Sequence, residues 1–207
     1  MKDLLIIGTG GHARTVVDTA QLLSYNLAGC IDINYSGKVE DILGVPVIGG
    51  FEKLKEYSCK YADVFVAIGD NHERSNIIEK VRDLGYMVVQ LVHPTAIISS
   101  SSAIDSGSLI CAGAILNAGV KIGVGCIINT GAIVDHESTI DDYTHIAPGV
   151  NIAGRVKIGA RSFVGIGSRI IDKIEIGNNT VIGAGSIILE NVASNTTVVG
   201  IHKKLKK

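Results

Sequence analysis

The chain has 207 residues, and its 19 lysines and arginines nearly balance its 20 aspartates and glutamates, for a formal net charge of −1. This balance excludes the basic excess with which nucleic-acid-binding proteins hold phosphates. No apolar run approaches the roughly 20 residues of a membrane span, and the run in MKDLLIIG is too short for a signal peptide. We therefore expect a cytoplasmic protein of one or two small domains, with no nucleic-acid or membrane partner.

The first ninety residues alternate apolar runs with amphipathic segments, a pattern typical of β-α-β folds. The predicted strands are residues 4–7, 27–31, 64–68 and 87–92, and the predicted helices are residues 15–23 and 74–84. Continuous apolar runs such as residues 4–7 are typical of strands buried on both faces. This order predicts a parallel sheet with right-handed crossovers, which ends at His93-Pro94.

A glycine run, Gly8-Thr9-Gly10-Gly11-His12, joins the first strand to the first helix. With Asp32 about 20 residues later, it nearly fits a dinucleotide-binding fingerprint, so a nicotinamide oxidoreductase is one hypothesis. However, the domain has room for one of the two βαβ halves that hold a dinucleotide, which favours a single nucleotide or a nucleotide-linked sugar. A tight turn without a ligand is the alternative, but His12 lies where ligands bind such sheets and favours a ligand.

From Ile98 to Ile188, every sixth residue is aliphatic, over sixteen successive positions. A helix repeats near 3.6 residues and a strand near 2, so a period of six indicates a parallel β-helix in which the aliphatic residues stack in core columns. Three faces make one coil, so the segment predicts about five coils without an inserted loop. A small or β-branched residue precedes nearly every aliphatic one by two places and lets the chain bend, and glycines recur at one turn position that needs positive φ.

His136 is a candidate general base because Asp135 and Glu137 flank it. A carboxylate beside an imidazole favours its charged form and fixes its tautomer. Strand alternation would turn His136 inward, although a turn after Val134 would reverse this. His145 lies nine residues further, half a coil away, so the two histidines are expected to meet only across a boundary between neighbouring chains. The alternatives are a surface residue for His136 and a structural histidine for His145.

Taken together, the glycine run, the His-Pro junction, the hexads and the segments Val-Asp-His-Glu (134–137) and Thr-His-Ile-Ala-Pro-Gly (144–149) resemble one family. It is the bacterial sugar acetyltransferases, which include the sialic acid O-acetyltransferase (NeuD) type and the bacillosamine and perosamine N-acetyltransferases. The resemblance implies a Rossmann-like sugar-nucleotide-binding domain at residues 1–92 and a left-handed β-helix acetyltransferase domain at residues 93–207. It also implies a homotrimer that binds acetyl-CoA between neighbouring solenoids.

The resemblance further implies roles for single residues. His136 matches the general base, Glu137 the acid that supports it, and His145 a histidine at the acetyl-CoA site. The remaining matches are Ile166 and Ala184 in the CoA groove and, in the substrate site, Gly10, Gly11, His12, Asp32, Gly69 and Asn129. The chain departs from the family in two places. The segment at residues 200–203 lacks the family's proline before the basic tail, and Ile33 follows Asp32 where a second acid is sometimes found.

These observations lead to three hypotheses of function. The first is an acetyl-CoA-dependent sugar acetyltransferase, and within it N-acetylation of a nucleotide-linked 4-amino sugar in surface glycan biosynthesis is favoured over O-acetylation of sialic acid. The second is a non-catalytic sugar-nucleotide-binding scaffold, and the third is the oxidoreductase. The four cysteines, Cys30, Cys59, Cys111 and Cys126, show no CxxC spacing, so we interpret them as reduced thiols and expect no metal site.

Overall fold

The computed structural model describes residues 3–23, 25–37, 40–57 and 62–203. Cys59 and the end of the basic tail therefore lie outside the described residues. The chain divides into two compact units, Met1–Pro94 and Thr95–Lys207, whereas the sequence predicts a boundary after residue 92. Among the described residues, no helix is long and apolar enough to cross a membrane.

The first unit is built on a five-stranded sheet in which β1 lies between β2 and β5. All pairings are parallel except the β3–β4 hairpin, and residues 4–7 of β1 are fully buried. The elements are β1 (Asp3–Ile7), α1 (Gly11–Leu22), β2 (Asn26–Ile31), β3 (Asp41–Ile42), β4 (Val45–Gly49), a 3-10 helix (Phe51–Lys55), β5 (Ala62–Val66), α2 (Asn71–Asp83) and β6 (Leu91–Val92).

Both helices begin earlier than the sequence predicts. The helix α1 begins at Gly11 because a glycine is accepted at a helix N-cap, here Gly10. The helix α2 begins at Asn71 because the Asp70 side chain accepts a hydrogen bond from the Glu73 N–H at 2.8 Å and caps the first turn. The first turn of α1 therefore lies inside the glycine run.

Two further differences concern the strands. The β3–β4 hairpin was not predicted from the sequence; its second strand extends the sheet beside β2. The predicted strand at residues 87–92 is not continuous in the structure. Only Val88 forms a bridge to β5, and only Leu91–Val92 form a strand, β6.

The second unit is a parallel β-helix of two-residue strands on three faces. The first face carries Ile97–Ile98, Ile115–Leu116, Ile133–Val134, Asn151–Ile152, Arg169–Ile170, Ile187–Ile188 and Ile201–His202. The second face carries Ala103–Ile104, Lys121–Ile122, Thr139–Ile140, Lys157–Ile158 and Glu175–Ile176. The third face carries Leu109–Ile110, Ile127–Ile128, His145–Ile146, Phe163–Val164, Val181–Ile182 and Thr197–Val198.

The eighteen-residue coil is confirmed by the strand register, since Ile98 pairs with Leu116 and Leu116 with Val134. The second residue of each strand except Ile201–His202 is aliphatic and points inward, so these residues form the core columns. The spacing shortens in the final coil, where Val181 pairs with Thr197 and Ile187 with Ile201.

The small residues at the corners also bind the coils to one another. The Ser138 hydroxyl donates to the Ala153 carbonyl at 3.0 Å and accepts from the Val156 N–H at 3.1 Å. Ser108 and Ser162 make equivalent pairs of bonds. These buried hydroxyls therefore satisfy backbone groups that would otherwise carry a desolvation cost.

The predicted turn position has positive φ throughout, with glycine values from 61° to 72° between Gly113 and Gly185. Glu137 occupies this position at φ 58°. Positive φ is unfavourable for non-glycine residues, but six other non-glycine residues of the solenoid also adopt it, at positions 143, 155, 161, 173, 179 and 195.

Candidate functional site

In the first unit, a cavity of about 550 Å³ lies at the carboxyl ends of β1, β2 and β5. The chain leaves β1 toward β2 on one side and returns in β5 on the other, so this is the crevice where open α/β sheets bind ligands. All five residues predicted for the substrate site in this unit line the cavity, namely Gly10, Gly11, His12, Asp32 and Gly69.

The glycines of this cavity are of two kinds. Gly8 has φ +116°, and a Cβ there would lie 2.7 Å from the Ala67 carbonyl oxygen, so both backbone and packing require glycine. At Gly10, Gly11 and Gly69, φ is outside the left-handed region, and a Cβ would meet no atom within 4 Å. The protein itself does not require glycine at these three positions, and the missing side chains leave the backbone open to a ligand.

The N-terminus of α1 suits an anion. Its N-cap, Gly10, makes no side-chain capping bond, and its first turn holds no acidic residue. The first N–H groups of a helix lack intrahelical partners, and the helix dipole favours negative charge there. Since α2 is capped by its own Asp70, the α1 end is the better phosphate site of the two.

His12 is uncharged at neutral pH. Burial lowers its pKa to about 4, and the positive charge of Arg74 contributes second. The Arg74 guanidinium is buried and donates to the carbonyls of Ile68 at 3.0 Å and Gly69 at 2.9 Å. Arg74 therefore holds the loop that carries Gly69. Sequence reasoning missed Arg74, because one arginine within a polar helix gives no signal.

Asp32 directly follows β2 and is held by two backbone hydrogen bonds. Its N–H donates to the Gly49 carbonyl at 3.0 Å, and its Oδ1 accepts from the Asn34 N–H at 2.9 Å. Asp70 and Glu73 also line the cavity. Carboxylates accept hydrogen bonds, so this wall suits hydroxyl and N–H groups of a ligand.

In the solenoid, His136 and Glu137 lie on the turn after the strand Ile133–Val134. The Nδ1 of His136 lies 3.3 Å from Oε2 of Glu137, and the two side chains are 45% and 65% exposed. The imidazole therefore faces outward, as the predicted turn after Val134 allows. A neutral imidazole whose Nδ1–H donates to a carboxylate carries its acceptor lone pair on Nε2.

Asp135 contacts the backbone of His136 and not its ring. Its Oδ1 accepts from the His136 N–H at 2.7 Å and from Asn117 Nδ2 at 2.8 Å. These two bonds, in that order, hold the pKa of Asp135 below its usual range. Asp135 therefore fixes the turn through these bonds, and it acts on the imidazole of His136 only through its charge, whereas Glu137 contacts the ring.

His145 lies on the third face, between Ile127 and Phe163 in neighbouring coils. The two rings of His145 and Phe163 meet edge to face, with centroids 5.2 Å apart. Asn129 Nδ2 lies 3.2 Å from His145 Nε2. Since Oδ1 of Asn129 accepts from the Thr130 N–H, we assign the amide as donor to Nε2. The structure thus joins two residues that the sequence predicted for different subsites.

Ile166 and Ala184 occupy the same turn position in successive coils, and both are exposed. The exposed fraction of Ile166 is 57%. They form an apolar strip on the outside of the solenoid and do not contribute to its core.

The described cysteines offer no nucleophile. Cys30, Cys111 and Cys126 are free and buried. Burial raises the pKa of Cys30 to about 11 and that of Cys111 to about 12, so neither supplies a thiolate at neutral pH.

Comparison with known proteins covers both units. A family profile described as the PglD N-terminal domain matches residues 3–81, and one described as the bacterial transferase hexapeptide (six repeats) matches residues 155–190. A histidine variant of perosamine N-acetyltransferase from Caulobacter crescentus, solved with CoA and GDP-perosamine, is 34% identical. It covers 97% of this chain and 94% of its own, with a TM-score of 0.92.

The acetyltransferase domain of PglB from Neisseria gonorrhoeae, solved with acetyl coenzyme A, is 33% identical. The match covers 96% of each chain, with a TM-score of 0.90. This chain belongs to the hexapeptide-repeat sugar N-acetyltransferases. The membership confirms the predicted family and the predicted fold of a Rossmann-like unit followed by a β-helix. WeeI from Acinetobacter baumannii, at 23% identity and a TM-score of 0.88, shares the fold of these N-acetyltransferases.

Proposed function

We propose that this chain transfers the acetyl group of acetyl-CoA to the amine of a nucleotide-linked 4-amino sugar, in the cytoplasmic steps of surface glycan biosynthesis. The observation that carries the proposal is the similarity to sugar N-acetyltransferases along the whole chain, at 33–34% identity. The described relatives are complexes with CoA and GDP-perosamine or with acetyl coenzyme A. We therefore assign the sugar nucleotide to the candidate site of the first unit and acetyl-CoA to that of the solenoid.

The nucleotide-linked sugar would bind the cavity of the first unit. The N-terminus of α1 would hold the diphosphate, with Gly10 and Gly11 giving the backbone amides access to it. Asp32 would accept hydrogen bonds from nucleoside hydroxyl or N–H groups. His12 and Gly69 complete this site, and the low pKa of His12 keeps it neutral.

His136 would act as the general base and Glu137 would hold its ring. The sugar amine attacks the thioester carbonyl carbon while Nε2 of His136 takes a proton from the amine nitrogen. The C–N bond forms, the C–S bond breaks, and the proton passes to the leaving thiolate. Backbone amides or His145 would stabilise the oxyanion of the intermediate.

Acetyl-CoA would lie along the exposed strip of Ile166 and Ala184, with its acetyl end toward His145. The hydrogen bond from Asn129 holds the His145 ring in place, so we assign Asn129 to the same part of the site. The apolar strip would bury methylene groups of the pantetheine arm.

A trimer would complete the site. Ile97, Ile115 and Ile133 form a ladder on the outside of the first face, and Ile97 is 64% exposed. Ile115 and Ile133 are partly exposed, and an accessible apolar ladder of this kind favours association. Packing of neighbouring solenoids would bring His136 of one chain toward His145 of the next.

The test is CoA release from acetyl-CoA in the presence of UDP- or GDP-linked 4-amino sugars, with the His136→Ala variant as control. An amide product resists hydroxylamine, whereas the ester expected from O-acetylation of sialic acid is cleaved. Release with sialic acid alone would replace the proposal by O-acetylation. Thermal stabilisation by the sugar nucleotide without turnover would indicate a scaffold, and stabilisation by NAD but not acetyl-CoA an oxidoreductase.

A further inference from the structure

Gly154 lies one coil after His136 and directly against its side chain. The Arg155 N–H donates to the His136 carbonyl at 2.8 Å, so the turn at residues 154–155 stacks on the turn at residues 136–137. A Cβ at position 154 would lie 2.5 Å from both Cε1 and Nε2 of His136. The imidazole therefore occupies the space that any side chain at this position would fill.

The fold itself does not require glycine at position 154. Its φ is outside the left-handed region, so the backbone accepts any residue. The same turn position, two residues after each inward aliphatic residue, recurs every six residues from 100 to 184. In the sequence it holds Ser100, Ser106, Ala112, Ala118, Val124, Thr130, His136, Asp142, Pro148, Gly154, Ala160, Ile166, Asp172, Asn178 and Ala184. Glycine stands there once, in the coil that follows the histidine.

The imidazole is thus held at two edges. Glu137 lies at Nδ1, at 3.3 Å, and Gly154 lies at the Cε1–Nε2 edge. We propose that Gly154 is a positioning residue, whose missing side chain provides the space in which the His136 imidazole packs with Nε2 directed at the acceptor amine. The catalytic consequence rests on the proposed function, whereas the packing does not.

The first test is Gly154→Ala. A methyl group there displaces the ring and covers Nε2, so kcat should fall by about 10²-fold, the scale of a misplacement of about 1 Å. The KM values for acetyl-CoA and for the sugar nucleotide should stay within about twofold, because this chain would bind them through other residues. Ala160→Ser is the matched control, since it enlarges the equivalent side chain one hexad later and should leave kcat unchanged. Unchanged kcat in Gly154→Ala would overturn the proposal.

The second test separates packing from chemistry through melting temperatures. Gly154→Ala should lower the melting temperature in the wild-type background. In the His136→Ala background it should not lower it, because the ring is gone and alanine restricts the unfolded chain more than glycine. An equal decrease in both backgrounds would overturn the proposal, because the methyl group would then clash with something other than His136. If His136→Ala itself retains wild-type kcat, the proposed function fails, and this melting cycle still decides the packing.

Discussion

His12, whose Nε2 is buried, should make the first unit lose stability in mild acid. Its pKa is lowered from 6.5 to about 4, first by burial and second by Arg74. As pH falls below 6.5, the unfolded chain takes up this proton before the folded chain does. The free energy of unfolding therefore has its full value above pH 6.5, the pKa of His12 in the unfolded chain. It decreases as the pH falls toward 4, the pKa in the folded chain.

The size of this loss follows from the difference between the pKa values of His12 in the unfolded and the folded chain. Each pKa unit of difference corresponds to about 1.4 kcal/mol. Protonation of His12 should therefore lower the free energy of unfolding by about 2 kcal/mol between pH 7 and pH 5, and by about 3 kcal/mol between pH 7 and pH 4. Replacing His12 by glutamine removes the titrating group and should remove this part of the pH dependence. The absolute stability of the variant does not enter the comparison.

Urea titrations at pH 7 and pH 5, followed by tyrosine fluorescence, measure the difference. The chain has no tryptophan, and five of its six tyrosines precede residue 95, so the signal reports mainly on the first unit. Other groups titrate alike in both proteins and cancel. If wild type and His12→Gln lose the same free energy of unfolding between these pH values, burial does not hold His12 neutral in the folded chain.

Three further predictions concern the proposed sites and assembly. His136→Ala should lower kcat by roughly 10²–10⁴-fold with little change in ligand affinity, and Glu137→Ala should cost less; a retained kcat above about a tenth of wild type would make His136 a binding residue. Gly11→Val should abolish sugar-nucleotide binding in calorimetry and leave acetyl-CoA binding intact, and loss of acetyl-CoA binding in the folded variant would contradict the assignment of the two ligands to different units. Gly8→Ala, in contrast, should lower the melting temperature. Light scattering at micromolar concentration should give a trimer, and a fully active monomer would refute the shared site.

The fold of the second unit could be predicted because every coil of a β-helix repeats the same geometry. Each face needs an aliphatic residue that points inward, so the six-residue period from Ile98 to Ile188 directly reports the succession of faces. The hairpin at residues 41–49 carries no such repetition. Two short strands without a period give a weak signal, which is why the sequence analysis passed over them.

The candidate sites could be predicted in part. Neighbouring residues such as His136 and Glu137 can be judged from spacing, and their contact at 3.3 Å was expected. Contacts one coil apart depend on the register of the turns, which adjacency does not reveal. Asp135 was therefore assigned to the imidazole, although it binds Asn117 and the backbone. The link between Asn129 and His145 was missed for the same reason.

Residues that depart from the pattern of a repeat are informative because the pattern itself explains the inward residues and the corner residues of each coil. Inward positions are aliphatic to fill the core, and corner serines such as Ser138 satisfy the backbone. Residues at the outward turn positions do not fill the core, although Asp142 and Asn178 accept hydrogen bonds from the backbone of the preceding coil. The His136 side chain contacts Glu137 and Gly154 instead, so this histidine and this glycine call for a reason outside the fold. The contact between this histidine and this glycine supplies that reason, since one residue explains the other. The same reasoning distinguishes Gly8, which the backbone requires, from Gly10 and Gly11, which face open space.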